Sequence, residues 1–199
     1  MIEIRHLEKR FGDRAVLKDF SARLPAGVTA LRGPSGSGKS TLIHILLGLI
    51  QPDAGEISGL AGKRLSAVFQ EDRLLEAQDA AGNLRFANPE VSLEEAERAL
   101  RALGIEEVRG KPVREFSGGM KRRVAIARAA LHRADFVALD EPFTGLDAEA
   151  MEKAAAFLRE TLRGAVVLCA AHDARETDLL GAAGEIRIGE GESGRRAPE

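Results

Sequence analysis

The sequence predicts an α/β fold with a mostly parallel sheet core, an N-terminal antiparallel β subdomain and a short α-helical subdomain. Three observations lead to this prediction. Apolar and polar residues alternate near the N-terminus, as they do in half-buried strands. A glycine-rich segment then joins a short apolar run to a helical pattern. In the second half of the chain, helical patterns alternate with short apolar runs, which is typical of strands that lie parallel in one sheet.

The first third of the chain supplies the antiparallel strands and the first parallel strand. Apolar residues alternate with polar ones at Ile2 and Ile4 and again from Phe20 to Leu24. The run from Val28 to Leu31 predicts a buried strand, and the stretch from Lys39 to Leu49 predicts a helix. An antiparallel pair followed by a strand–loop–helix unit is therefore expected.

The middle third predicts further strands and a helical insert. A turn is expected from Pro52 to Gly55, followed by strands from Glu56 to Ser58 and from Ala67 to Phe69. Apolar residues from Leu93 to Leu103 recur at helical spacing and form one face. We expect a helical subdomain at about residues 72–118.

The last third alternates helices with strands. Helices are expected from Gly119 to His132 and from Ala148 to Arg163, and strands from Phe136 to Leu139 and from Val166 to Ala170. Residues 1–190 are expected to form one domain, and the polar residues 191–199 a frayed tail.

Net charge, cysteine content and the length of the longest apolar run limit the classes of function that this chain can have. The net charge of −2 over 199 residues lacks the basic excess that nucleic-acid binding needs, so no nucleic-acid partner is expected. Cys169 is the only cysteine, which together with the absence of a secretory leader at Met1 favours a reducing cytoplasm and a buried core thiol. The longest apolar run, Leu42 to Ile50, is far below the roughly 20 residues that span a bilayer. A membrane role would therefore need a partner.

A phosphate-binding loop follows the predicted strand and opens the predicted helix. Its residues are Gly33, Pro34, Ser35, Gly36, Ser37, Gly38, Lys39, Ser40 and Thr41. Glycines let several backbone N–H groups converge on phosphate oxygens, and the helix N-terminus adds partial positive charge. Lys39 is placed to reach the outer phosphates, and Ser40 to offer its hydroxyl to Mg²⁺. The alternative is a chance glycine turn.

Two acidic residues end the predicted strand from Phe136 to Leu139. Asp140 and Glu141 would lie at the carboxyl edge of a parallel sheet, where ligands bind. Asp140 suits magnesium, and Glu141 suits a water that attacks the terminal phosphate. The alternative is that Asp140, Glu141 and Pro142 only cap a turn.

A second glycine motif makes the chain resemble the ABC ATPases. Phe116, Ser117, Gly118, Gly119 and Met120 stand at the start of a helix shortly before the acidic pair. The resemblance covers almost the whole chain, because six motifs occur in the family's order. They are the loop at 33–41, Gln70, the Ser117-Gly118-Gly119 signature, Asp140-Glu141, Gly145-Leu146-Asp147 and His172. Met120 departs from the glutamine commonest in the family, which is expected to change packing more than phosphate contact.

The resemblance implies a P-loop NTPase with a composite ATP site. Ser117, Gly118 and Gly119 would bind the ATP held by a second subunit, in a head-to-tail dimer that is expected to be a homodimer. The alternative for these three residues is a helix N-cap with a flexible lead-in.

Four further residues take roles by the same resemblance. Gln70 would contact magnesium or water, although a buried or capping glutamine is the alternative. His172 would hold the terminal phosphate and orient Glu141, although a lone histidine at a strand end is usually structural. Asp147 would link the two sites across the dimer, and Phe11 would stack on adenine or pack in the core.

Within the family, the chain is similar to importer ATPases of the nitrate, sulfonate and taurine type. That similarity implies ATP hydrolysis that powers solute transport through an integral membrane permease, with an external solute-binding protein as a further partner. The chain would then lie at the cytoplasmic face of the cell membrane. Leu74 and Leu75 fall where the family contacts a permease helix, although core packing is equally compatible.

Three other functions are weighed against the transporter. A soluble ABC-type ATPase acting on a non-transport complex usually carries tandem cassettes or long insertions, and neither fits within this sequence. A non-hydrolysing ATP switch fits poorly with intact Lys39, Asp140, Glu141 and His172. A small-molecule kinase would leave the Ser117-Gly118-Gly119 motif without a role.

Overall fold

The computed structural model describes residues 1–106, 110–171 and 173–189. The predicted role of His172 and the predicted tail at 191–199 concern residues outside these ranges. The strands are β1 Ile2–Phe11, β2 Arg14–Leu24, β3 Gly27–Arg32, β4 Ala54–Ser58, β5 Leu65–Val68, β6 Phe136–Asp140, β7 Val166–Ala170 and β8 Gly184–Arg187. The helices are α1 Lys39–Leu46, α2 Ala80–Ala87, α3 Leu93–Ala102, α4 Gly118–Leu131, α5 Ala148–Thr161 and α6 Ala174–Leu179, with a 3-10 helix at Val113–Glu115.

The strands form two sheets. An antiparallel sheet has the order β2-β1-β4, and a parallel sheet has the order β5-β6-β7-β3-β8. The predicted α/β class, with a parallel core and an N-terminal antiparallel part, is confirmed. The carboxyl ends of β3, β5 and β6 therefore share one edge of the parallel sheet, and the residues that follow them are brought close together.

Both faces of the parallel sheet are buried. In β6, Val137 and Leu139 pack into the apolar cluster that holds the helical insert. Phe136 and Ala138 pack into the other cluster, with α1 and the antiparallel sheet. A strand buried on both faces reads as a continuous apolar run, which is why β6 and β7 were predictable from sequence. Cys169 is fully buried in β7, as predicted, and burial raises the pKa of its thiol.

The helical insert begins and ends with side-chain caps. Asp79 caps α2 by accepting a hydrogen bond from the Gly82 N–H, and Ser92 caps α3 by accepting one from the Glu95 N–H. Leu84 of α2 and Leu100 of α3 lie in the same apolar cluster as β6. The insert is thus packed on the face of β6 that carries Val137 and Leu139.

Three elements differ from the prediction. Helix α1 ends at Leu46, before Gly48, which adopts a left-handed φ of 71°. Helix α6 and strand β8 were not predicted. None of the helices in the described ranges is both long and apolar enough to cross a membrane.

Candidate active site

The glycine-rich loop at 33–41 connects β3 to α1 and is tightly packed at two glycines. Gly33 has a φ of 153°, and a Cβ there would lie 2.4 Å from the Ile188 carbonyl oxygen. Gly38 has a φ of 107°, and a Cβ there would lie 2.7 Å from a methyl carbon of Val16. Both positions therefore require glycine for conformation and for space. The chance-turn alternative is not supported, because the loop packs against β2 and against the residue that follows β8.

Lys39 lies across the loop that precedes it. Its side chain is largely buried, and Nζ donates hydrogen bonds to the carbonyl oxygens of Gly33, at 2.8 Å, and Pro34, at 3.0 Å. The Ser37 hydroxyl is buried and has no hydrogen-bond partner among the described residues. A buried ammonium beside an unsatisfied hydroxyl provides donors that an anionic oxygen would satisfy, so the loop fits a phosphate group.

Asp140, at the end of β6, is joined to the start of α1. Its side chain is only 4% exposed, and the Ser40 hydroxyl lies near enough to act on its pKa. Burial raises the pKa of the Asp140 carboxyl, the nearby Glu141 charge adds to the rise, and the Ser40 hydroxyl opposes it. Two of the three residues predicted to hold magnesium, Ser40 and Asp140, are therefore close together.

This pair suits Mg²⁺ only in combination with other ligands. No group of three or more His, Cys, Asp or Glu side chains able to hold a metal occurs among residues 1–106, 110–171 and 173–189. Mg²⁺ prefers oxygen ligands and keeps several waters, so one carboxylate and one hydroxyl fit an ion whose remaining ligands are phosphate and water.

Glu141 has an unusual backbone conformation. Its φ is 51°, and its N–H donates a 2.8 Å hydrogen bond to the Ala170 carbonyl at the end of β7. A left-handed non-glycine residue is strained by about 1–3 kcal/mol, and such residues cluster at functional sites. His172 follows Ala170 by two positions and lies outside the described residues, so its predicted role stays a prediction.

Gln70 follows β5 at the same edge of the sheet, because β5 pairs with β6 through Val68 and Leu139. Its side chain is exposed and makes no hydrogen bond within the described part of the chain. The buried and capping alternatives are therefore excluded. The exposed amide is available to a ligand at this edge.

Phe11 lies at the tip of the β1–β2 hairpin, which touches the phosphate loop. It pairs with Arg14, whose guanidinium donates a 2.9 Å hydrogen bond to the Gly36 carbonyl. The Phe11 ring is 49% exposed, with Lys9 Nζ 5.5 Å from its centroid. The core-packing alternative is wrong, and an exposed ring beside the loop is free to stack on a base.

The Ser117-Gly118-Gly119 motif forms the start of α4. The Ser117 hydroxyl caps the helix by accepting a 3.3 Å hydrogen bond from the Met120 N–H, so the N-cap interpretation is confirmed. A Cβ at Gly118 would have no heavy atom within 4 Å, whereas one at Gly119 would lie 3.5 Å from the Gly145 carbonyl oxygen. The loop at 33–41 of the same chain therefore does not contact Gly118. Met120 is half-buried and packs against the core.

The remaining predicted positions lie on the adjoining helices and loop. Asp147 is exposed and caps α5, its carboxylate accepting a 2.8 Å hydrogen bond from the Ala150 N–H. Leu74 packs against the core, whereas Leu75 is 36% exposed. For Leu74 the structure therefore favours the core-packing alternative, whereas the exposure of Leu75 leaves the permease contact open.

Sequence reasoning missed Arg122, which lies directly beneath the acidic pair. Its guanidinium donates to the carbonyl oxygens of Asp140 and Glu141 and to those of Phe69 and Gln70. No side-chain motif signals these contacts, because five of its partners, the Pro142 carbonyl included, are backbone oxygens.

Comparison with known proteins identifies the family. The family profile described as ABC transporter matches residues 17–144, which is more than half of the chain. The chain belongs to the ABC transporter family. Its fold and motifs are those of the ATP-binding subunit of ABC transporters, an ATPase that powers solute transport. In a solved structure titled "Structure of ATP binding subunit of ABC transporter", the matched chain is 27% identical with a TM-score of 0.82, over 94% of this chain and 85% of that one.

Two curated relatives are importer subunits. The chain is 38% identical to an aliphatic sulfonates import ATP-binding protein of Pseudomonas aeruginosa, over 99% of this chain and 75% of the relative. It is 39% identical to a taurine import ATP-binding protein of the same organism, over 73% of this chain and 60% of the relative. Within the ABC family, the chain is therefore close to the sulfonate and taurine importers.

Proposed function

We propose that this chain binds ATP and Mg²⁺ at the loop 33–41 and hydrolyses ATP in a site that a second copy completes. The observation that carries the proposal is the buried Asp140 carboxyl at the end of β6, close to Ser40 at the start of α1, which brings the acidic edge of the sheet to the phosphate loop. In this proposal Lys39 holds the outer phosphates, Ser40 and Asp140 hold Mg²⁺, and Gln70 reaches Mg²⁺ or the attacking water. Bound Mg²⁺ would neutralise charge that develops on the phosphates.

Glu141 is the proposed base. It follows Asp140 directly, so its carboxylate belongs to the same edge as the proposed metal ligands. A carboxylate there would orient a water and accept its proton as the water attacks the terminal phosphate. The strained φ of Glu141 supports a functional position, since nothing in a turn of this kind requires a non-glycine residue. His172 would orient Glu141 and its water.

The second copy would supply Ser117, Gly118 and Gly119. Gly118 supports this arrangement, because it has neither a left-handed φ nor a close neighbour that would demand glycine. Glycine in a helix is less favourable than alanine by about 1 kcal/mol, so its presence needs another reason. Close approach of a nucleotide held by the other subunit is such a reason, and Asp147 would face the same dimer interface. The exposed Phe11 would stack on the adenine.

The proposed partners are an integral membrane permease and an external solute-binding protein. The importer names of the relatives support this arrangement, with the chain on the cytoplasmic side of the membrane and Leu75 in the permease contact. By the same similarity, a small organic sulfonate is the first cargo to test. ATP binding would close the dimer and hydrolysis would open it, which biases the permease between its two orientations.

Co-purification from detergent-solubilised native membranes tests the proposal. We expect mass spectrometry to recover a multi-spanning permease, and we expect the recovered complex to release phosphate from ATP only with Mg²⁺. The matched complex with Glu141→Gln should bind ATP and lose phosphate release. Recovery of a soluble assembly without a permease would contradict the transport function and favour a soluble ABC-type ATPase.

A further inference from the structure

Arg122 is a buried charge with an unusually complete set of partners. It lies in the first half of α4 and is only 3% exposed. A buried guanidinium is tolerated when its five N–H donors are all paired. Here they are paired with two separate backbone segments that the sheet order brings side by side.

The first segment carries the proposed base. The Arg122 Nε donates a 2.9 Å hydrogen bond to the Pro142 carbonyl oxygen, and Nη2 donates to the carbonyl oxygens of Asp140, at 3.1 Å, and Glu141. Three consecutive carbonyls are thus held by one side of the guanidinium. They include the carbonyl of Glu141 itself, the residue with the left-handed φ.

The second segment carries Gln70. The Arg122 Nη1 donates to the carbonyl oxygen of Phe69, at 2.5 Å, and makes a longer contact of 3.4 Å with that of Gln70. It also forms a 3.1 Å ion pair with the Asp72 carboxylate, which supplies the compensating negative charge. The other side of the same guanidinium is therefore anchored to the loop after β5.

A guanidinium is planar and rigid, so its two sides keep a fixed separation. The segments 69–72 and 140–142 are consequently held in one relative position by a single group. A shift of about 1 Å in a catalytic group is enough to lower a rate by roughly a hundredfold. The two-sided Arg122 guanidinium, here called the fork, is placed to prevent such a shift between Gln70 and Glu141.

We propose that Arg122 is a positioning residue: its guanidinium sets the placement of the Gln70 loop relative to Glu141, and thereby the rate of ATP hydrolysis rather than the affinity for ATP. The inference rests on the proposed role of Glu141 as the base. Arg122 touches backbone carbonyls and Asp72, so it acts through those residues and not on the nucleotide.

Arg122→Lys removes the fork and keeps the charge. A lysine ammonium has three donors at one point and cannot bond both segments in the same geometry. The matched control is Arg128→Lys. Arg128 also lies on α4 and donates to the carbonyl oxygens of Asp72, at 2.8 Å, and Arg73, at 2.7 Å. Neither of its two carbonyl acceptors belongs to the segment 140–142.

The experiment compares the full chain with these variants by ATPase kinetics and by ATP binding. We expect Arg122→Lys to lower kcat about a hundredfold, with the Kd for ATP changed by less than about threefold. Arg128→Lys should keep kcat within about threefold of the parent. A kcat for Arg122→Lys equal to that of the control would overturn the inference.

A double-mutant cycle with Glu141→Gln separates positioning from general damage. If Arg122 acts by placing Glu141, then Arg122→Lys changes the residual single-turnover rate of Glu141→Gln by less than about threefold. A full additional loss in that background would show a structural effect unrelated to Glu141. Failure of the parent chain to hydrolyse ATP, with Glu141→Gln indistinguishable from it, would instead contradict the proposed function.

Amide hydrogen exchange supplies a readout that needs no activity. Arg122→Lys should increase exchange in the peptides that cover 69–72 and 140–142 together, whereas Arg128→Lys should affect the first peptide alone. If Arg122→Lys does not fold, Arg122→Gln, which leaves no buried charge, takes its place in all three measurements. Exchange that rises in neither segment with a folded variant would overturn the inference.

Discussion

At the scale of single residues, the pKa of the Asp140 carboxyl links the candidate site to the stability of the fold. Its ordinary pKa of 3.8 is raised, first because the carboxyl is buried and then because Glu141 lies nearby. In the unfolded chain this carboxylate is exposed to water, whereas in the folded chain it is buried. Folding a charged Asp140 therefore costs free energy. Below the unfolded pKa the group is neutral in both states and carries no such penalty. As pH rises through the folded pKa, that part of the stability is lost.

Asp140→Asn should therefore raise the free energy of unfolding at neutral pH while abolishing Mg²⁺-dependent hydrolysis. The gain should shrink as pH falls from about 8 to about 4, because the parent carboxyl becomes neutral. Chemical denaturation at several pH values measures it. Asp135→Asn is the control of opposite sign: a hydrogen bond from the Arg64 N–H lowers the pKa of Asp135, so that variant should lose stability at neutral pH. Equal behaviour of the two variants would contradict the account.

At the scale of elements, one substitution at the start of α4 should change stability and activity in opposite directions. Gly118 has open space around its Cβ position, so Gly118→Ala should stabilise the folded chain by up to about 1 kcal/mol. We expect the same variant to lose ATPase activity at least about tenfold, because a methyl group would obstruct the approach of the second subunit's nucleotide. Thermal unfolding and phosphate release measure the two effects.

Gly164→Ala is the matched control, because Gly164 also has open space but adopts a φ of 84°. Alanine there should destabilise the chain by about 1 kcal/mol and leave the activity of the folded protein unchanged. A Gly118→Ala protein of full activity would argue that the motif only starts a helix.

The elements that the sequence predicts are those whose apolar pattern reflects how they are buried in the fold. Strands β6 and β7 are apolar runs because both sheet faces are covered. Strand β8 was missed because, of its four residues, only Ile186 is buried, and an edge strand with charged neighbours resembles a loop. In helix α6 the only buried residue is Thr177, so no apolar face signals it.

The residues of the candidate site likewise differ in whether the sequence alone could indicate them. The loop at 33–41 and the Asp140-Glu141 pair could be proposed as site residues from the sequence because each is a contiguous motif. Arg122 could not, because its proposed role depends on carbonyl oxygens brought close only by the order of β5 and β6 in the sheet. Family resemblance proposes roles for Gln70 and Phe11, and the structure adds that both side chains are exposed.

At the scale of the whole molecule, the two halves of the proposed site lie on different surfaces of one chain. The loop at 33–41 would supply donors for phosphate, whereas a Cβ at Gly118 would have no atom of that loop within 4 Å. Two copies in head-to-tail arrangement would bring each loop to the other copy's α4. Nucleotide-dependent association is therefore the central claim, since hydrolysis and coupling to a permease both follow from it.

Sedimentation of Glu141→Gln with and without MgATP tests this claim most directly. The neutral side chain keeps the shape of the base without its proton affinity, so ATP should bind and remain intact. We predict a monomer without nucleotide and a dimer with MgATP, and a return to monomer when Gly118→Ala is added to the same chain. A Glu141→Gln protein that binds MgATP stoichiometrically and stays monomeric at every concentration would contradict the account.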